Sequence, residues 1–185
     1  RSLVAAAVGG FDADRYPHPS IEDIELGHRL RAAGGHLALD PSIQGTHLKR
    51  WTLRSMIWTD FARRGVPWVA LQARSRHVAS SLNMSWRHRL SAILCLVGTA
   101  TLGIGMEWMT ALASTALLVA NRSFYGLLLD RMGLARGAIG VGLHWLHHLV
   151  AVAAIPVGLG LAITERRAHP TMTADESLAA RPITS

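Results

Sequence analysis

Two long apolar runs constrain this chain more than any other feature. Leu90 to Ala120 carries a single charge, Glu107, and Gly137 to Ile163 carries no Asp, Glu, Lys or Arg. A bilayer core about 30 Å thick takes roughly 20 apolar residues of helix, so each run is long enough to span. The competing reading, two buried helices of a soluble protein, needs more surrounding chain than the remaining residues supply. A single helix over the first run would measure about 46 Å, long for one span. Gly103, Gly105 and Glu107 lie near its middle. They predict a hairpin of two short helices, with Glu107 exposed at the turn rather than acting as an intramembrane acid. The second run predicts one helix, with Pro156 as its kink.

The charge pattern agrees with a membrane partner. The net charge is +7, and Lys49 is the only lysine. Such a charge raises nucleic acid as a partner, but the arginines flank the apolar runs instead. Arg63, Arg64, Arg74, Arg76, Arg87 and Arg89 precede the first run, and Arg122, Arg131 and Arg136 lie between the two. That is the pattern of a cytoplasmic face against anionic lipid, so membrane lipid is the expected partner and nucleic acid is not. Cys95 is the only cysteine, which excludes an internal disulfide. A composition rich in Arg, Ala, Leu and Gly suggests a GC-rich bacterial source.

Four parts follow. Residues 1–51 form a soluble α/β segment, and residues 52–88 a basic amphipathic region. Residues 89–163 are membrane-embedded, and residues 164–185 are a polar tail with Pro170 and Pro182. The chain begins at Arg1 and enters at once on a strand-like LVAAAV. It therefore reads as the C-terminal piece of something longer. Gly9-Gly10 ends that strand, and FDADRYPHP is an irregular loop. Ser20 offers an N-cap, with Asp23 three residues on in the manner of a capping box. The helix runs to about Ala33 and stops at Gly34-Gly35. HLALD and Ile43 to His47 alternate as short strands around Asp40-Pro41-Ser42. In WTLRSMIWTDFARR, Leu53, Met56, Ile57 and Phe61 fall at helical spacing, with Trp51, Trp58 and Trp68 nearby. That predicts a helix lying in the membrane interface.

The ordered set GGFD, IEDIELGHRLRAAG and HLKRW, followed by membrane helices, resembles the C-terminal half of a membrane-bound family 2 glycosyltransferase. The resemblance covers residues 5 to about 70 by motif and the remainder by architecture. It implies part of a GT-A fold. It also implies an inverting enzyme that moves a sugar from a nucleotide-sugar donor to a lipid-linked or polysaccharide acceptor. A divalent metal, Mg or Mn, would be held mainly by an N-terminal half that also carries the nucleotide-binding strands. The catalytic part would be cytoplasmic, on a multi-pass protein of the bacterial inner membrane. A fragment without the N-terminal half is expected to be inactive alone.

Residue by residue, Gly9 and Gly10 match the glycine-rich loop that lets the backbone approach donor and acceptor. Glu22 and Asp23 match the acidic pair whose second member, Asp23, is the general base. His47 matches the late histidine that coordinates the donor-bound metal. Arg50 and Trp51 match the end of the Gln-x-x-Arg-Trp motif of processive synthases, although His47 stands where that motif has Gln. The chemistry asks for these types. A carboxylate takes the acceptor proton, a metal and cations hold the leaving diphosphate, and Arg50 offers a planar fork for phosphate oxygens.

Three acids within four residues, Glu22, Asp23 and Glu25, exceed what one helix start requires. A non-enzymatic membrane scaffold or polysaccharide-export subunit with a transferase-like domain is the reading from another class. A third reading comes from His144, His147 and His148, whose spacing puts all three on one helical face, as metal or heme ligands would require. No acid or cysteine stands close in sequence to complete such a site. Histidines near a bilayer surface also hydrogen-bond headgroups or backbone, and the sequence favours that simpler role.

Overall fold

The computed structural model describes residues 8–38, 40–46, 48, 50–74 and 86–168. It divides into two compact units, Arg1–His77 with Ala154–Ser185, and Val78–Ala153.

The first unit opens on a turn at Gly9-Gly10, both with left-handed backbone (φ 87° and 67°). After an irregular loop comes α1, Glu22–Ala32. Its three acids lie in the first turn and Arg29 and Arg31 in the last, each sign at the end of the macrodipole that favours it. The helix ends in a Schellman motif. Gly34 takes φ 84°, its N–H bonds the Arg31 carbonyl at 3.0 Å, and the Gly35 N–H bonds that of Leu30 at 2.8 Å.

A longer helical stretch follows. It runs as α2, Leu53–Trp58, a π-helical segment, Thr59–Gly65, and α3, Val66–Arg74. Thr52 and Ser55 form a reciprocal capping box at its start. Pro67 has no N–H to give the Arg63 carbonyl four residues back. That carbonyl instead accepts the Ser20 hydroxyl at 2.5 Å, which ties the loop before α1 to the π segment. Residues 154–168 pack on this stretch through small side chains. A Cβ on Gly158 would meet Val69 Cβ at 2.6 Å and the Val66 carbonyl at 2.7 Å, and one on Gly65 would meet Ala154 Cβ at 2.7 Å. Arg74 pairs with Glu165, and the Arg166 guanidinium donates to the Ala73 carbonyl.

The second unit contains a helical hairpin of α4, Trp86–Gly103, and α5, Glu107–Ala120. Gly105 (φ 75°) makes the turn, and Glu107 is exposed just after it. The two helices are tied by hydroxyls. Thr101 and Thr110 Oγ1 lie 2.9 Å apart, and Asn121 Nδ2 donates to Ser91 Oγ at 2.9 Å. Then comes α6, Arg122–Ala168, whose helical backbone is broken at Gly133 (φ 76°, ψ 169°). Within the second unit, Trp145 Nε1 donates to Thr99 Oγ1 at 2.9 Å. A Cβ on Gly98 would meet the Trp145 ring at 2.7 Å.

The hairpin expectation holds, with its turn where the glycines stand. The α/β expectation, a C-terminal part of a GT-A domain, does not. The described residues are 76% helical, with no strand or sheet among them. In HLALD and Ile43 to His47 the described residues carry no ladder, and Leu37 (58% exposed) and Ile43 (70% exposed) face solvent. An alternating segment becomes a strand only where a neighbour pairs its backbone groups, and none does so here. Leu39, His47 and nearly all of the Leu3 to Val8 run lie outside the described residues. The interruption in the last helix falls at Gly133, where the backbone leaves helical dihedrals; Pro156 lies inside the helix. Ser20 is not the N-cap of α1. Ile21 holds that position without a side-chain cap bond, because the Ser20 hydroxyl is spent on Arg63.

One helix among the described residues, Arg122–Arg167, is long and apolar enough to cross a membrane. Only 22% of its most apolar stretch is buried within the protein, unlike the core helix of a soluble domain. At 14 residues, α5 is apolar but about 21 Å long, short of a full span.

Candidate functional site

The acidic helix start and the glycine turn are joined by one side chain, Arg29. Its Nε and Nη2 each donate to a carboxylate oxygen of Glu25 at 2.7 Å, a bidentate pair. Its Nη2 also donates to the Gly10 carbonyl at 2.6 Å, and its Nη1 to the Val8 carbonyl. Glu25 is buried and Arg29 largely so. The hydrogen bond that Arg29 donates to Glu25 raises the Arg29 pKa above its ordinary value, ahead of the opposing effect of burial. The helix therefore grips the carbonyls that flank the Gly9-Gly10 turn.

This clamp separates the three acids by role. Glu25 is committed to Arg29. Glu22 Oε2 accepts the Ser20 N–H at 2.6 Å and so serves the helix entrance. Asp23 stays exposed, with Oδ1 accepting the Ile24 N–H at 2.8 Å. Of the three, Asp23 is the one whose carboxylate faces outward.

An open groove of about 420 Å³ lies in the same unit. Tyr16, His18, Trp58, Arg63 and Arg74 line it, with Leu161 on its apolar side. Burial raises the Tyr16 pKa above the usual phenol value and lowers that of Arg74. Gly9, Gly10 and Asp23 are not part of this lining. Arg50 and Trp51 are exposed, and the Arg64 guanidinium stands 6.0 Å from the Trp51 ring centre, the range of a cation–π contact. The structure thus ties Gly10 to α1 through Arg29, places Glu22 and Asp23 in the first turn of that helix, and leaves Arg50 and Trp51 on a separate stretch. His47 lies outside the described residues.

No three His, Cys, Asp or Glu side chains among the described residues already converge to hold a metal ion. Of the Mg or Mn site that the resemblance implies, this chain contributes His47, which lies outside the described residues.

Sequence reasoning missed Arg29 and Glu25 as a pair, although their i, i+4 spacing inside an acidic helix start was a signal. It also missed His88 and Tyr125, which join the histidines of the last helix in the second unit. Neither could be found by spacing, since 56 residues separate His88 from His144 in the chain. Set beside known proteins, the chain matches no family model, no curated protein and no solved structure.

Proposed function

We propose that the chain belongs to an inverting, membrane-bound glycosyltransferase, with Asp23 as the base that takes the acceptor's proton. The observation that carries this reading is the Arg29 clamp. It fixes the glycine turn to α1 and commits Glu25 to Arg29, leaving Asp23 as the exposed acid of the first helical turn. In the reaction, an acceptor hydroxyl attacks the anomeric carbon as its proton passes to the Asp23 carboxylate, and the nucleoside diphosphate departs from the opposite face. The backbone at Gly9 and Gly10 carries no side chain to obstruct a sugar. Arg50 supplies a fork for phosphate oxygens and Trp51 a flat apolar face. The acceptor is a lipid-linked or polysaccharide glycan, because the apolar helix holds this part at the bilayer. The hairpin α4–α5 enters the same membrane without a full span at α5, and residues 8–74 lie on the cytoplasmic side of a bacterial inner membrane.

A second reading, a non-enzymatic membrane scaffold or polysaccharide-export subunit, is favoured by one observation: no sheet is present among the described residues. One experiment separates the two. Membranes from cells that express the protein are supplied with labelled nucleotide sugars and divalent metal, and wild type is compared with Asp23→Asn. Transfer into lipid or polymer that falls at least about 100-fold in the variant supports the base assignment. Equal transfer in both removes Asp23 from the chemistry. Absence of transfer with every donor favours the scaffold.

A further inference from the structure

The second unit holds a cluster of four histidines and a tyrosine that the transferase reading does not use. His148 is fully buried. Its Nε2 lies 3.1 Å from Nε2 of His144, and Nδ1 of His144 lies 2.7 Å from the Tyr125 hydroxyl. One proton arrangement satisfies both contacts: His148 Nε2–H donates to His144 Nε2, and His144 Nδ1–H donates to Tyr125 Oη. It leaves His148 Nδ1 as a bare lone pair, and that atom is buried with no partner. The reverse arrangement, with Tyr125 donating to His144 Nδ1 and His144 Nε2–H donating to His148 Nε2, buries an unpaired N–H at His148 Nδ1 instead. Either way a fully buried imidazole nitrogen has no hydrogen-bond partner, a deficit that needs a cause.

The neighbouring rings supply one. His88, from α4, packs against His148 with ring centres 4.6 Å apart and against His147 at 5.8 Å; His147 and His148 are 5.6 Å apart. Three imidazoles bound to one ion at about 2.0–2.1 Å place their ring centres about 5 Å apart. The triangle His88, His147, His148 has that size. The ring nitrogens do not converge as they stand, so ligation requires the His88 and His147 rings to turn about their side-chain torsions.

We propose that His148 Nδ1, His88 and His147 bind a divalent transition-metal ion of the zinc class, for which neutral imidazole is a preferred ligand. His144 and Tyr125 then form the outer chain. A ligating histidine ordinarily donates its other N–H to an acceptor that orients the ring, and His148 does so to His144, which is oriented in turn by Tyr125. The ion joins α4 to the last helix within this unit. This site is independent of the transferase reading and of any metal bound with a sugar donor.

The test uses the whole chain, purified in detergent without an affinity tag that binds metal, stripped by a chelator and titrated with Co²⁺ and then Zn²⁺. One equivalent of Co²⁺ is expected, with the visible ligand-field bands of nitrogen coordination, displaced by Zn²⁺. His88→Gln weakens binding at least tenfold. Tyr125→Phe, which touches no ion, also weakens it, by about tenfold, because the outer chain loses its end. Zinc raises the thermal midpoint of wild type and not of His88→Gln. A folded wild type that takes up no stoichiometric Co²⁺ or Zn²⁺ overturns the proposal, as does binding undiminished in both His88→Gln and His148→Ala. If His148→Ala does not fold, His88→Gln decides alone.

Discussion

Glu25 in the first unit and His148 in the second are both buried titratable side chains, and they differ in how their polar atoms are met. Glu25 has a bidentate arginine on its carboxylate, and that arginine continues to two backbone carbonyls. His148 has one nitrogen engaged and the other without a partner. A buried charge whose bonds are all made is part of the framework, and here it fixes the glycine turn. A buried nitrogen whose bonds are incomplete leaves room for a ligand. The same burial therefore points to architecture in one region and to binding in the other.

The comparison breaks most sharply at Arg29. Arg29→Ala leaves Glu25 buried without its countercharge and is expected to cost about 3–5 kcal/mol, read as a fall in the denaturant midpoint of the chain in detergent. Arg29→Lys keeps the charge but loses the fork and should fall between wild type and Ala. If Arg29→Ala matches wild type, Glu25 is not held as described and the separation of the three acids fails.

Close helix packing gives the next effect. Gly158→Ala drives a methyl into Val69 and the Val66 carbonyl and should cost about 1–3 kcal/mol. Two residues on, a Cβ at Gly160 meets nothing within 4 Å, so Gly160→Ala should be neutral or stabilising. Thermal melts of the two variants, side by side, test whether residues 154–168 pack on the 65–74 stretch. Thr52→Ala removes the capping box and should cost about 1 kcal/mol, seen as a loss of helical circular dichroism on mild heating.

The smallest effect is alkaline. Burial raises the Tyr16 pKa in the folded chain, while in the unfolded chain it sits near 10. The folded state thus holds its proton longer. The contribution is fully present below about pH 10 and is lost as pH rises through the folded-state value. The urea midpoint should decline across that alkaline range in wild type, and Tyr16→Phe should flatten the decline. An identical slope in both would place Tyr16 in solvent.

Local signals in the sequence were enough for several elements. Three acids and Gly34-Gly35 bracket α1, and Gly103, Gly105 and Glu107 mark the hairpin turn. The charge-free run from Gly137 to Ile163 lies within one long helix, and HWLHH puts three histidines on one face. Each depends on contacts within a few residues, and so is written in consecutive letters. The α/β expectation failed for the converse reason: a strand is defined by a partner, and alternation in HLALD or near Ile43 names none.

What the sequence by itself determined is where α1 stops and the hairpin turns, which stretch is apolar enough for a bilayer, and which residue types stand ready for chemistry. The grip of Arg29 on the Val8 and Gly10 carbonyls was decided only by the tertiary structure. So was the meeting of His88 with His148, and that of the Ser20 hydroxyl with the carbonyl that Pro67 cannot serve. The physical reason is common to all three. A polar group's role is set by the groups it meets, and here those groups lie 19 to 60 residues away along the chain.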